Sequence, residues 1–213
     1  ISTTYAHDLV LWRSWWARSG IALVVAGFAA APFVLSNYWT TVLVYAGIAA
    51  VGTLGLNLLT GFAGQASLGH AFFFGVGAYA TVVLTGSAQW PFPLWLIGAA
   101  AIGGFIGGCV GPAALRLRGN YLVIVSLGLV IVGQHVFEHW TSVTGGLTGT
   151  PVRAAVAIGG LDLTTMSLFG RPLARNQGYF YFTWIVVAVI AFATRNLLRS
   201  RPGRALQAIR DRD

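Results

Sequence analysis

The side chains best equipped for chemistry gather in one apolar stretch. Asn57, Thr60, Gln65, Ser67 and His70 lie between positions 54 and 79, interleaved with Gly61, Gly64, Gly69, Gly75 and Gly77. Such groups are costly in hydrocarbon, and irregular backbone at membrane depth survives only where protein or a wet cavity surrounds it. Singly, each polar side chain is read as a helix-to-helix hydrogen bond, worth about 0.6–2 kcal/mol. As a set beside a glycine break, Asn57, Gly61, Gly64, Gln65, Ser67, Gly69 and His70 read as the wall of a translocation path.

Three other chemistries are weaker. Ser67 and His70, with His135 on another helix, have the types of a nucleophile and base. Gly64-Gln65-Ala66-Ser67-Leu68-Gly69 is no nucleophile elbow, however, and no second carboxylate is placed to orient a base, so no enzyme is expected. His135 and His139 share a helix face with only Glu138 nearby, so no metal site is expected, and no cofactor is implied. An acidic Glu138 beside Gln134 can meet a substrate ammonium, but a snorkelling carboxylate is the plainer reading.

The elements that must position these residues are membrane helices. Hydrophobic residues make up 56% of the 213 and charged residues 8%, where a soluble domain carries about a quarter charged. Mean hydropathy is +0.74. The pattern predicts an all-α polytopic membrane protein of about six transmembrane helices, over about 20–36, 40–59, 71–86, 94–115, 122–140 and 178–194. A glycine-rich segment, Gly61 to His70, breaks the second from the third or re-enters the membrane. A cleavable signal peptide competes with the first span because Ala29-Ala30-Ala31 follows an apolar run; the charge pattern favours a retained span.

Gly103, Gly107 and Gly111, with Gly104 and Gly108, repeat every four residues and predict close packing of a neighbouring helix. The lone Cys109 reads as a small packed residue. Residues 141–177 form a long connection in which 152–158 is either a strand or a surface helix.

There is no lysine, so all thirteen basic residues are arginine, and a lysine-dependent phosphate loop is excluded. A net charge of +8 is compatible with nucleic acid, yet the arginines cluster between apolar segments and read as an orientation signal. Alternating sides at each span puts Arg13, Arg18, Arg116, Arg118 and the six arginines of 195–213 together, which makes that side cytoplasmic. In the tail, Leu206 and Ile209 form a small apolar stripe flanked by Arg204 and Arg210. On its own this suits a basic helix against anionic lipid.

Asn57-Leu-Leu-Thr-Gly-Phe-Ala-Gly-Gln-Ala-Ser-Leu-Gly-His-Ala71, followed by Phe73-Phe-Gly-Val-Gly-Ala-Tyr79, closely resembles permease subunits of branched-chain amino-acid ABC transporters, above all the LivM-type branch. Leu115 to Leu127 and Thr144-Gly-Gly-Leu-Thr-Gly149 resemble the same family, and Phe62 stands where tyrosine is common. The tail Arg201-Pro-Gly-Arg-Ala-Leu-Gln-Ala-Ile-Arg-Asp211 is similar to the family's cytoplasmic coupling segment. The resemblance implies a docking role for Gly203, Arg204, Ala205, Leu206, Ile209, Arg210 and Asp211. It also implies a bacterial inner membrane, separate ATPase subunits, a second permease subunit and a periplasmic binding protein. Leucine, isoleucine or valine is the expected cargo; urea, short amides and ribose-like sugars, or a channel role, are the alternatives. Family members continue beyond the coupling segment, so the chain is expected to be C-terminally incomplete.

Overall fold

The computed structural model describes residues 15–86, 88–114, 120–152, 157–158, 161–162, 167–168, 171–172 and 174–210. Eight α-helices carry the described chain: α1 (Trp15–Val34), α2 (Asn37–Asn57), α3 (His70–Gly86), α4 (Leu94–Ala114), α5 (Asn120–His139), α6 (Thr141–Thr144), α7 (Arg175–Arg199) and α8 (Arg201–Arg210). By length and apolarity, four helical segments can cross a membrane: Asn37–Phe62, Leu94–Pro112, Tyr121–His139 and Arg175–Arg199. Ser19–Val34 and His70–Gly86 are apolar but shorter. The 17 residues of α3 cover about 26 Å, against roughly 30 Å of hydrocarbon.

Lipid tails are as apolar as leucine, so these helices join through small residues and polar tips, not through expulsion of apolar surface from water. α2 and α7 run side by side in the same direction. Asn176 Nδ2 donates to Asn37 Oδ1 at 2.9 Å and to Thr41 Oγ1 at 2.8 Å, and a Cβ on Gly47 would lie 2.6 Å from Thr183. Aromatic side chains also tie helices together. Tyr181 donates its hydroxyl to the Ala29 carbonyl at 2.6 Å, and Trp184 Nε1 donates to the Leu43 carbonyl at 3.2 Å.

α3 packs antiparallel to α4 and in the same direction as α5. Ala80 and Leu84 of α3 meet Trp95 and Ala99 of α4 in the buried core, with Tyr179 and Phe182 of α7 against them. Phe72 fills the space above Gly133, and Phe137 the space above Gly75. The expected packing at the α4 glycines differs: Gly103, Gly104, Gly108 and Gly111 have nothing within 4 Å of a would-be Cβ, and Gly107 meets only Phe73 at 3.7 Å. Among the described residues no helix approaches that face more closely than this. Cys109, expected to be packed, is likewise exposed.

In the long connection, β1 (Ala157–Ile158) pairs antiparallel with β2 (Leu161–Asp162), and β3 (Ser167–Leu168) with β4 (Arg171–Pro172). These two minimal hairpins put 157–158 in a strand and leave the fold all-helical otherwise. Residues 1–14, 115–119 and 211–213 lie outside the described residues.

Candidate functional site

The break is a turn between two antiparallel helices. α2 widens into a π turn at Leu58–Phe62, where Ala63 N–H bonds the Leu58 carbonyl at 3.2 Å and Gln65 N–H the Leu59 carbonyl at 2.9 Å. The second bond reaches back six residues, one more than in a Schellman motif, and like it closes the helix end through a left-handed residue just before the closing donor. Gly64 supplies it with φ +68°. The chain then runs irregularly to His70, where α3 begins and returns beside α2: a Cβ on Gly52 would lie 2.6 Å from Phe74.

Two hydroxyls satisfy the amides of the irregular stretch. Ser126, buried on α5, accepts Leu68 N–H at 2.9 Å and donates to its own helix at the Val123 carbonyl, also 2.9 Å. Ser67 accepts Gly69 N–H at 3.3 Å. Gly69 approaches α5 so closely that a Cβ there would lie 3.2 Å from the Ser126 carbonyl oxygen.

The seven expected path residues separate into groups. Gln65, Ser67 and Gly69 line a cleft of about 570 Å³ between the break and helices α3, α4 and α5, within the roughly 300–1,000 Å³ of small-molecule sites. Phe73, Val110, Leu122 and Val125 are among its apolar walls, Gly107 and Gly111 widen it, and only Gln65, Ser67 and Ser126 bring polar side chains. Of Phe72, Phe73 and Phe74, only Phe73 faces this space.

Asn57 and His70 are not in that cleft. The π turn and the Gly64 reversal rotate Asn57 away, into an open groove of about 800 Å³ between α2 and α7 with Thr53 and Thr60. The His70 ring faces α2, its Cε1 lying 3.2 Å from a would-be Cβ on Gly55, with Phe74 edge-on at 5.7 Å between ring centroids. Gly61 and Gly64 lie instead under the tail. Arg210 Nη1 donates to the Gly61 carbonyl at 2.9 Å, and its Cγ lies 3.1 Å from where a Gly64 Cβ would be.

The tail forms α8, set at a sharp corner after α7. Ser200 is extended, with ψ 175°, and Gly203 is buried so tightly that a Cβ would meet the Leu197 carbonyl oxygen and come within 2.5 Å of Leu198 Cα. Leu206 is half-buried, whereas Arg204, Ala205 and Arg210 are exposed. The Ile209 side chain and Asp211 lie outside the described residues.

At the other end of α5, Glu138 accepts from Gln134 Nε2 at 2.8 Å, so its carboxylate has a partner on its own helix. The His135 and His139 rings lie 4.0 Å apart there, far along α5 from Ser126. Ser67, His70 and His135 therefore face different neighbours and form no catalytic set. Among the described residues no three of His, Cys, Asp and Glu group to hold a metal ion.

Ser126 is the residue the sequence reading passed over; its signal was a hydroxyl alone in the apolar run Leu122 to Val132. Thr144 is another. It is buried, its hydroxyl lies 2.6 Å from the Phe137 carbonyl and 2.9 Å from that of Trp140, and it accepts Gly146 N–H at 3.1 Å.

Residues 38–212 match the family described as the permease component of the branched-chain amino acid transport system. The chain belongs to that family. Two relatives are high-affinity branched-chain amino acid transport system permease proteins, both named LivM. The Salmonella typhimurium protein is 32% identical over 208 residues, covering 89% of this chain and 47% of its own length. The Escherichia coli protein is 30% identical over 208 residues, covering 90% of this chain and 48% of itself. The chain thus spans about half the length of the curated relatives it matches. No solved structure matches it. As a permease component it falls in a family of transport proteins and not of enzymes, which removes the serine–histidine reading.

Proposed function

We propose that this chain is part of the membrane subunit of an ATP-driven importer of branched-chain amino acids in a bacterial inner membrane. The observation that carries the reading is the cleft: apolar walls suited to a leucine or valine side chain, with three polar side chains at Gln65, Ser67 and Ser126. The same end of the bundle holds the break, the end of α4, the start of α5 and α8, and ten of the thirteen arginines fall in residues 1–19, 115–119 and 195–213. This supports a cytoplasmic location for that end and for 195–213. α8 then receives a separate ATPase through Gly203 to Ile209, a second permease subunit completes the path, and a periplasmic binding protein delivers cargo to the opposite side. Asn57 and His70 support the helices around the path rather than its wall.

The test is uptake by the full-length complex carrying Gly111→Val. A valine fits at position 111, since nothing lies within 4 Å of its Cβ, yet it narrows the cleft. Leucine uptake falls while assembly is retained; unchanged uptake would remove the cleft from the path. Competition by valine, urea and ribose in the same assay reads the substrate class, and preferential competition by urea or ribose would overturn the amino-acid assignment.

A further inference from the structure

The irregular stretch of the break is held from two sides by side chains of other helices. At one end Arg210 of α8 holds the Gly61 carbonyl; at the other Ser126 of α5 holds Leu68 N–H. Gln65 and Ser67, which face the cleft, lie between these two anchors. We propose that Arg210 is a positioning residue: it ties the break to α8, so that displacement of α8 relative to α5 moves Gln65 and Ser67 and reshapes the cleft. This rests on the reading of α8 as the segment that receives the ATPase.

The contact suits this role chemically. Gly61 is in the last turn of the α2 helix, whose final carbonyls have no intrahelical donors and carry the negative end of the helix dipole. A guanidinium there makes a charge-assisted bond, stronger than a neutral one. Its aliphatic stem lies on Gly64, the residue whose left-handed φ closes the helix end. A Cβ at position 64 would lie 3.1 Å from Arg210 Cγ and crowd it by a few tenths of an ångström, so one glycine serves both the turn and the contact.

Mechanically, α8 cannot swing freely from α7. Its corner at Gly203 leaves no room for a Cβ against Leu197 and Leu198. A push on α8 therefore reaches the end of α7 and the break, both of which it touches. Of these the break has no repeating backbone ladder, and such segments open and rearrange at the lowest cost. Helices on either side shift as units, which leaves residues 63–69 to absorb the displacement directly beside the cleft.

The experiment uses the full-length complex with Cys109→Ala and a reporter, Val110→Cys, in the cleft wall. Labelling by a small maleimide is compared with and without ATP and vanadate, together with co-purification of the ATPase and leucine uptake. In the reporter protein, labelling changes with nucleotide. Arg210→Ala retains the ATPase and its hydrolysis, loses the nucleotide-dependent change, and lowers uptake by about fivefold or more, the low end of coupling between sites. Gly64→Ala, which lifts Arg210 without removing it, gives the same pattern. If Arg210→Ala leaves the nucleotide response intact, the tie is overturned while the coupling role of α8 stands. If the variant instead loses the ATPase, Arg210 is a docking contact, which also overturns the tie and leaves the coupling role. If labelling ignores nucleotide even in the reporter protein, the coupling reading fails and takes the tie with it.

Discussion

Arg210, at the end of α8, donates to the carbonyl of Gly61, 149 positions earlier, at 2.9 Å. Two of the stretches that resemble the family, the glycine break and the basic tail, are therefore in direct contact. Because Gln65, Ser67 and Gly69 follow Gly61 within one irregular turn and line the cleft, the distance from tail to cleft is a few residues of backbone. Nothing longer than this turn has to relay a movement of α8.

Gly64 carries φ +68°, with Arg210 Cγ 3.1 Å from its absent Cβ. A left-handed alanine costs roughly 1–2 kcal/mol by itself, and displacement of Arg210 adds to it. Gly64→Ala is therefore expected to lower the melting temperature of the detergent-solubilised full-length complex while still allowing it to fold. A melting temperature equal to the parent's would mean the turn is not built as described.

Ser126→Ala removes the acceptor of Leu68 N–H and leaves that amide unpaired beside the cleft. Losing one partner of a buried hydrogen bond costs about 1–3 kcal/mol. Because the loss is local, hydrogen exchange mass spectrometry is the sensitive measurement: peptides over 62–69 exchange faster, while those over 94–110 do not change. Equal protection in both regions would contradict the Ser126 anchor.

The break itself was legible because amides, hydroxyls and glycines inside an apolar run demand partners. Which partners was not legible. Asn57 and Gln65 are eight residues apart and look like one group, but the π turn and the reversal at Gly64 send them to opposite sides of α2. Ser126 was passed over because a lone serine in an apolar helix ordinarily bonds its own backbone, as it does at Val123; its second bond, to Leu68, depends on tertiary approach. The α4 glycines have the spacing of a helix–helix seam, yet spacing states only that a neighbour can come close. Helix positions followed from apolar runs bounded by Pro91, Pro93 and the arginine clusters, and 157–158 became a strand only through pairing with 161–162.

Glycines with the same sequence appearance should respond in opposite ways. At Gly133 the Phe72 ring occupies the space a Cβ would need, so Gly133→Val overpacks the α3–α5 contact at a cost of about 1–3 kcal/mol. At Gly103 nothing lies within 4 Å, and alanine there gains up to about 1 kcal/mol of helix propensity. Thermal unfolding of the two variants in detergent should move down for the first and hold or rise for the second. A fall for Gly103→Ala as large as that for Gly133→Val would place a helix on the α4 face.

Thr144 governs the C-terminal end of α5. Its hydroxyl lies between the carbonyls of Phe137 and Trp140 and accepts Gly146 N–H, while Gly145 and Gly146 follow in left-handed conformation at φ +78° and +62°. The turn leaves Leu147 87% exposed, so the shape of this exposed loop depends on one buried hydroxyl. Thr144→Val keeps the shape and deletes the bonds, and should destabilise by about 1–3 kcal/mol through the unpaired groups. Thr144→Ser keeps the hydroxyl and loses a methyl, costing roughly 1 kcal/mol. Limited proteolysis within 145–152 should therefore accelerate far more for the valine variant than for the serine one. The reverse order would mean that the methyl group, and not the hydroxyl, holds the loop.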